Sequence, residues 1–337
     1  MSVSEVARVS IIIPTFNGGW RIGNCLDALL QQSAAPEIEI LVVNDGSTDD
    51  TAAVVQIYPR VKLINQANAG PASARNRGAS EATGQIVLFT DDDCVPLAGW
   101  LHSMLEPFHD SQVVGAKGIY RTRQKQLVAR FVQVEYEDRY HLMAKLPDID
   151  FIDTYSAAFR RDRFLEIGGY DTSFPVACAE DVEMSYRMSA RGWKMKFVPS
   201  AIVYHTHPAT LSNYLKKKYK FAFWRILAVR KNPSKGVKDS HTPQIMKLQV
   251  LFGPVLLLSL IADVIRRPAV PLTLILIAGF LVSTLPFTWR AMQKDPAIGM
   301  LSPIFLALRS VAQFLGVAFG SMYALRRPVI VPTDSTI

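Results

Sequence analysis

Val270–Trp289 is a run of 20 residues without a charged side chain. Inside lipid a backbone has no water to bond, so such a run must close its own hydrogen bonds as a helix. At about 1.5 Å per residue its length matches the roughly 30 Å hydrocarbon core of a bilayer. Leu301–Leu325 is a second run, 25 residues with one charge, Arg309. Leu248–Ala262 is a third, but its 15 uncharged residues are short for a full crossing. Residues 246–327 are therefore expected to form a helical membrane region of two or three spans, with a flexible tail at 328–337. If all three cross, Arg266, Arg267, Arg326 and Arg327 face the side away from the N-terminal region. If Leu248–Ala262 lies in the interface, the count reverses and obeys the positive-inside rule. Two crossings and one interfacial segment is the expected topology.

The formal net charge of +8 has a segmental origin. Residues 1–210 carry 20 basic and 25 acidic side chains, residues 211–245 carry 9 and 1, and residues 246–337 carry 8 and 3. A nucleic-acid enzyme places positive charge on its main domain, and this chain does not, so nucleic acid is not an expected partner. The basic stretch, roughly Leu211–Lys238, interleaves Lys216, Lys217, Lys218, Lys220, Arg225, Arg230 and Lys231 with Tyr, Phe and Trp. A basic aromatic helix suits the surface of an anionic membrane; the alternative is a surface helix with a solvated face. The three cysteines, Cys25, Cys94 and Cys178, form no CxxC pair, which argues against a zinc site or a disulfide framework. An apolar content of 49% excludes a largely disordered chain.

The N-terminal region alternates two periodicities. Strands are expected at Val9–Ile13, Ile38–Val43, Val61–Ile64 and Ile86–Phe89, and helices at Trp20–Gln32, Thr51–Ile57 and Ala72–Ala82. Such alternation predicts an α/β fold, a Rossmann-like, mostly parallel sheet with helices on both faces. Ligands of these sheets sit beyond the carboxyl ends of the strands. There the polar residues cluster, at Thr15–Asn17, Asn44–Ser47 and Asp91–Asp93.

Several groups at those ends can carry chemistry. In an extended backbone Asp91 and Asp93 point the same way and Asp92 the other. Three adjacent carboxylates repel, so a cation or a cationic side chain is expected among them. Oxygen ligands of this type suit Mg²⁺ or Mn²⁺; an ordinary acidic turn is the other reading. Asp45 can accept hydrogen bonds from a base or ribose, and Ser47 or Thr48 can cap the next helix. Pro71 suits a first helical turn. Arg75 and Arg77 can meet phosphate or the acidic site, or serve as surface cations. Glu180 and Asp181 open an amphipathic helix, where the dipole favours an ionised carboxylate; they read as helix-end acids or as a general base. Neither a Walker loop nor GxGxxG is present, which disfavours an ATPase or a nicotinamide enzyme.

Residues 10–17 (SIIIPTFN), 43–49 (VNDGSTD), 70–78 (GPASARNRG), 89–93 (FTDDD), 168–171 (GGYD), 180–187 (EDVEMSYR) and 191–205 (RGWKMKFVPSAIVYH) occur in one order. Together they resemble the family-2 glycosyltransferases of GT-A fold over roughly residues 8–208. The resemblance implies a catalytic domain at 1–210, a basic interfacial segment at 211–245, and transfer of a sugar from a nucleotide-sugar with inversion. It implies a donor site formed by Pro14, Thr15, Asn17, Asp45, Gly46, Ser47, Gly70, Arg75, Asp91 and Asp92. Asp91 and Asp93 would hold a divalent cation, Mg²⁺ or Mn²⁺, with His205 completing the shell or packing as a structural histidine. Asp181 would be the catalytic base, with Glu180 beside it, and Gly169, Tyr170 and Asp171 would line the acceptor side.

The chain also departs from the family pattern. The QxxRW segment of processive synthases is missing, Phe221–Arg225 standing near its place, and Cys94 replaces an acid often found after the DxD. Two or three spans are few for a polysaccharide channel. The expected function is membrane-bound transfer of a single sugar to a lipid-linked saccharide, polyprenyl phosphate or other envelope glycan. The plasma (inner) membrane is the expected location, with the catalytic domain on the cytoplasmic face and anionic lipid as a partner. The alternatives are a processive synthase and exporter, an inactive nucleotide-binding scaffold, and a cytosolic sugar nucleotidyltransferase, which the spans disfavour.

Overall fold

The computed structural model describes residues 8–32, 38–174, 178–237, 239–266 and 270–326. It divides into two compact units, Met1–Gln124 with Tyr140–His207, and Lys125–Arg139 with Pro208–Ile337. The tail expected at 328–337 lies outside the described residues.

The first unit begins β1 (Val9–Thr15), α1 (Gly19–Leu30), β2 (Ile38–Asp45), α2 (Thr51–Gln56), β3 (Val61–Gln66), α3 (Pro71–Glu81), β4 (Ile86–Phe89) and β5 (Val95–Pro96). It continues with α4 (Trp100–Leu105) and β6 (Val113–Arg121), then the part of α5 (Leu127–Met143) from Tyr140 on, β7 (Ala157–Arg160), α6 (Arg161–Glu166), α7 (Glu180–Ala190) and β8 (Lys194–Tyr204). The strands form one sheet in the order β3-β2-β1-β4-β7-β6-β8-β5. The pairs β1/β2, β1/β4, β2/β3 and β6/β8 are parallel, and β4/β7, β6/β7 and β5/β8 antiparallel. Every residue of β1 and of β4 is buried, as expected of strands covered on both faces. Ile22, Cys25, Leu26 and Leu29 turn one stripe of α1 inward. Thr15 pairs with Asn44, and Ile12 with Phe89, so the loops leaving β1, β2 and β4 are neighbours. The mostly parallel α/β sheet of the sequence reading is observed.

The second unit holds α8 (Leu211–Lys231), α9 (Ser234–Val237), α10 (Gln244–Arg266), α11 (Val270–Lys294) and α12 (Pro296–Leu325). Among the described residues, three helical stretches are long and apolar enough to cross a membrane: Gln244–Ile265, Leu272–Lys294 and Pro296–Leu325. Helix α10 outruns its uncharged stretch at both ends, so length no longer separates it from the other two. Leu251, Leu258, Ile275 and Val282 are each more than 60% exposed, an apolar outer surface suited to lipid.

Residues 125–139 pack with this unit. Phe131 on α5 stacks on Phe305 and meets Phe287 and Tyr214. Arg130 grips both carboxylate oxygens of Asp295 at 2.8 and 2.6 Å, and Arg290 donates to Asp138 at 2.6 Å. The basic helix α8 is correspondingly less available to lipid than its composition suggests. Lys218 is buried and pairs with Glu135 at 2.9 Å. Arg225 pairs with Asp239 at 2.7 Å, and Arg230 donates to the Ala324 carbonyl. Lys216 and Lys220 are exposed.

Helix α8 lies against α12 at close range. A Cβ on Gly316 would stand 2.4 Å from the Tyr219 carbonyl, and one on Gly320 2.5 Å from that of Phe223. Small residues four apart permit such backbone approach between helices. Gly316→Leu is expected to lower stability by about 1–3 kcal/mol, as overpacking does. A lower thermal unfolding midpoint of the purified full chain checks this; an unchanged midpoint contradicts it.

Candidate active site

The three aspartates after β4 occupy a turn closed by Cys94 N–H donating to the Asp91 carbonyl at 3.0 Å. They do not continue the strand, so alternation along an extended backbone does not set their directions. Asp91 and Asp92 each meet a guanidinium, and Asp93 an imidazole. Arg75 Nη2 donates to Asp91 at 2.7 Å. Arg21 grips Asp92 through Nε at 2.7 Å and Nη2 at 2.9 Å. His205 Nδ1 lies 3.2 Å from Asp93. Repulsion among neighbouring carboxylates is answered by separate arginines at Asp91 and Asp92.

Asp92 also accepts from Thr15 Oγ1 at 2.6 Å, and both residues are buried. Thr15 and Asp92 thereby brace β1 to the aspartate turn. Pro14 is likewise inside β1, paired with Val43. Asp93, Cys94 and His205 bring ligand atoms within 4.8 Å of one another and can hold a metal ion. Asp91 is not part of that group; its carboxylate is turned to Arg75. Burial pushes the Cys94 thiol well up, so it stays protonated and is a poor ligand beside a carboxylate and an imidazole. An oxygen and nitrogen set of this kind fits a hard or borderline divalent cation. His205 is stacked on Tyr120, with ring centres 4.6 Å apart, which fixes the imidazole plane.

The loops after β1 and β2 are joined by side-chain bonds. Asn17 N–H donates to Ser47 Oγ at 2.9 Å, and Thr48 N–H donates to Asn17 Oδ1 at 2.8 Å. Asn17 adopts φ +49°, a conformation asparagine tolerates better than most residues. Ser47 is thus a loop clasp. The acceptor at the start of α2 is Asp49, bonded by Thr51 N–H at 3.1 Å, in place of the expected Ser47 or Thr48. Asp45 is buried, and its carboxylate accepts from Gln66 Nε2 at 2.7 Å, Ala69 N–H at 2.9 Å and Gly70 N–H at 2.8 Å. Gly46 has φ +77°, and a Cβ there would meet Asn68 N at 2.8 Å. Asp45, Gly46 and Gly70 therefore fold residues 66–70 onto the end of β2. Pro71 opens α3 with Gly70 as its cap, as read from the sequence.

Arg75 ties the site to α7. It is 3% exposed, and its Nη1 donates to Glu180 Oε1 at 3.4 Å. Glu180 Oε2 accepts from Cys178 N–H at 2.9 Å and Ala179 N–H at 3.1 Å. Glu180 is 2% exposed and anchors the helix start. Asp181 differs. It is half-buried, and its Oδ1 accepts from the neighbouring Val182 N–H at 2.7 Å. No salt bridge reaches it among the described residues. Burial, then the charges of Glu180 and Asp153, push its carboxyl well above the usual range. Arg77, the other cation of α3, pairs with Glu81 at 2.8 Å on the surface.

The turn after α6 is held by residues that the sequence alone did not single out. Asn76 Oδ1 accepts from Tyr170 N–H at 2.9 Å, while its Nδ2 donates to the Tyr170 carbonyl at 2.8 Å. Arg187 donates to the Gly169 carbonyl at 2.7 Å and is itself gripped by Glu183. Gly169 has φ +64°, and a Cβ would stand 2.5 Å from Asn76 Oδ1. Tyr170, expected on the acceptor side, is 2% exposed, and its ring packs on Phe89 and Phe164. The Tyr170 ring is thus part of the core under this turn. Asp171 accepts from Ser173 N–H at 2.8 Å and shapes the turn.

Comparison with known proteins follows this geometry. The profile of the family described as Glycosyl transferase family 2 matches residues 10–168. The chain is 25% identical over 235 residues to the poly-beta-1,6-N-acetyl-D-glucosamine synthase of Staphylococcus aureus, covering 66% of this chain and 55% of the relative. It is 29% identical over 279 residues to validoxylamine A glucosyltransferase of Streptomyces hygroscopicus subsp. limoneus, covering 69% and 58%. The chain thus spans little more than half the length of these curated relatives. Among solved structures, mannosyltransferase PcManGT from Pyrobaculum calidifontis, in complex with GDP-Man and Mn²⁺, superposes with a TM-score of 0.61. That match has 20% identity and covers 94% of this chain and 88% of the other. The fold is that of the GT-A glycosyltransferases. The match to Glycosyl transferase family 2 covers residues 10–168, a little under half of the chain.

Proposed function

We propose that the protein moves a single sugar, with inversion, from a nucleotide-sugar to a lipid-linked saccharide, polyprenyl phosphate or other envelope glycan. The observation that carries this reading is Asp181, a half-buried carboxylate at the start of α7 that no salt bridge reaches among the described residues. A carboxylate with a raised proton affinity is a better general base while it remains ionised. In the proposed step the acceptor hydroxyl gives its proton to Asp181 and its oxygen bonds to the sugar's anomeric carbon. The bond from that carbon to the diphosphate breaks on the opposite face, and the nucleoside diphosphate leaves. One displacement inverts the centre, and positioning of the two reactants supplies much of the acceleration.

Asp93 and His205 would hold Mg²⁺ or Mn²⁺, which offsets charge on the leaving diphosphate. The clasped loops at Asn17, Asp45–Ser47 and Gly70 would form the floor under the nucleotide, with Arg75 keeping Asp91 oriented. Gly169 and Asp171 would border the acceptor side. We place the protein in the plasma membrane as a multi-pass chain with the catalytic unit cytoplasmic, where nucleotide-sugars are made. Lys216 and Lys220 would meet anionic headgroups. The similarity to the S. aureus synthase favours one alternative, a processive polymerase, and product length separates the two.

The test is a screen of UDP-, GDP- and dTDP-sugars with membranes containing the full chain, with extraction and sizing of the lipid products. One donor is expected to label a short product only when divalent metal is present. Asp93→Ala is expected to lower transfer about 10²–10³-fold, the scale seen when transition-state charge loses a stabilising partner. Transfer at the wild-type rate by Asp93→Ala, or in excess chelator, would overturn the metal assignment.

A further inference from the structure

The His205 imidazole packs against aromatic side chains. Tyr120 of β6, itself buried, stacks on it with ring centres 4.6 Å apart and planes 21° from parallel. The buried ring of His207 meets both edge-on, its centre 5.8 Å from each. Stacked and edge-on contacts are the arrangements aromatic rings favour, and together they fix the plane of the His205 ring. The nitrogen turned toward the aspartate turn is Nδ1, 3.2 Å from Asp93 Oδ1 and 3.9 Å from Cys94 Sγ. The backbone of His205 is held separately, its N–H donating to the Arg121 carbonyl at 2.9 Å.

Tyr120 is anchored in turn. Its N–H donates to the Tyr140 hydroxyl at 2.8 Å, and its ring also stacks on that of Tyr155. Tyr155 Oη lies 3.1 Å from the same Tyr140 hydroxyl and accepts from Lys117 Nζ at 2.9 Å. Lys117 is completely buried and paired with Asp153. A buried lysine persists where a counter-charge meets it, so this pair gives Tyr155 a fixed donor. Tyr120 supplies no ligand atom to the group formed by Asp93, Cys94 and His205, yet it packs on the one ring that does.

We propose that Tyr120 is a positioning residue for divalent-metal binding: its ring holds the His205 imidazole with Nδ1 beside Asp93, where the two can share one ion. This rests on the reading of Asp93 and His205 as the metal pair. An imidazole free to turn about its Cα–Cβ and Cβ–Cγ bonds must give up that freedom when the ion binds, which weakens binding. A ring already held in place has given it up on folding. Groups that orient a metal-bound histidine typically change metal affinity about 10–100-fold. Here the orienting contact is a stacked ring, so the planar ring of Tyr120 carries the effect.

The experiment adds Mn²⁺ alone to the full chain in a non-ionic detergent and measures two quantities. One is the Kd for Mn²⁺, from the paramagnetic resonance of the free ion; the other is the nitrogen coupling in the spin echo of the bound ion. Wild type and Tyr120→Phe, which keeps the ring, are expected to bind alike and to show the coupling. Tyr120→Leu is expected to bind about tenfold more weakly, the low end of the range for such groups, with the coupling reduced. His205→Ala is expected to lose the coupling altogether. Tyr120→Leu with His205→Ala is expected to bind no more weakly than His205→Ala alone, since Tyr120 acts through that ring. If Tyr120→Leu does not fold, Tyr120→Met, similar in size and without a ring, is measured in its place. Wild-type affinity in the ringless variant, or weaker binding with the coupling intact, overturns the proposal. An equal loss in Tyr120→Phe, or additive losses in the double variant, also overturns it. Wild-type affinity and coupling in His205→Ala overturn the metal reading itself, which tells the two failures apart.

Discussion

Asp181→Asn is expected to lose about 10²–10⁴-fold in sugar transfer, the range for removing a general base, while the folded protein becomes more stable at neutral pH. The two effects share a cause. Burial and the charges of Glu180 and Asp153 raise the Asp181 carboxyl well above its ordinary value. A raised acid favours the fold when protonated and opposes it when ionised. Below the unfolded-state value the aspartate is neutral in both states, so wild type and variant should be alike. As pH rises through the folded-state value, wild type ionises at a cost that the amide never meets. Asparagine retains an oxygen that can accept from Val182 N–H, so the helix start is preserved. Thermal unfolding at acid and neutral pH, beside donor-dependent product formation, checks both halves. A variant that is inactive and less stable at neutral pH would show that Asp181 is a structural acid.

Glu135→Leu is expected to be among the most destabilising single substitutions in the second unit, at about 3–5 kcal/mol, the cost of stripping one partner from a buried pair. Glu135 receives Arg309 Nη1 at 2.8 Å and Lys218 Nζ at 2.9 Å, and all three are buried. Arg309 also donates to Gln249 at 2.7 Å, and Gln249 donates to the Ser283 carbonyl at 3.1 Å. The cluster therefore joins α5, α8, α10, α11 and α12. Burial pushes the Glu135 carboxyl up, but Lys218 and Arg309 outweigh it and hold it at about 2. A depressed acid stabilises the fold above its unfolded value and loses that effect as pH falls through the folded one. The difference between wild type and Glu135→Leu should therefore persist at neutral pH and narrow only in strong acid. The triple change Glu135→Leu, Lys218→Met, Arg309→Leu should restore most of the loss, since replacing a buried ion cluster by apolar groups is often close to neutral. Unfolding midpoints of the three proteins in one detergent check this. A Glu135→Leu midpoint equal to wild type would mean that the cluster is solvated.

Much of the sheet was legible because its signals are local. Ile86–Phe89 and Val9–Ile13 are short apolar runs bounded by polar residues, and the strands formed there with boundaries shifted by two residues at most. The motif order likewise pointed to the GT-A fold. The site was less legible. Arg21 and Asp92 are 71 residues apart, Arg75 and Glu180 105, and Lys117 and Asp153 36. No spacing rule pairs such groups. Tyr170 was placed beside the acceptor because its motif neighbours are glycines at a turn, yet its ring is core. The period-two expectation for Asp91 and Asp93 failed because the strand ends at Phe89.

The segmental charge count shows the same division. Glu135, Glu137 and Asp138 belong to an acidic half of the sequence, but they pair with Lys218, Lys294 and Arg290 of the basic half. The +8 excess is real, and part of what drew the basic helix toward lipid is spent inside the protein. By itself the sequence determined the fold class, the apolar helices and the acidic chemistry, because side-chain periodicity and residue type act over a few residues. The tertiary structure decided which carboxylates are held by cations, as Asp91 and Asp92 are, and which, like Asp181, no salt bridge reaches among the described residues. That choice depends on distances between residues far apart in the chain, and charge acts through space.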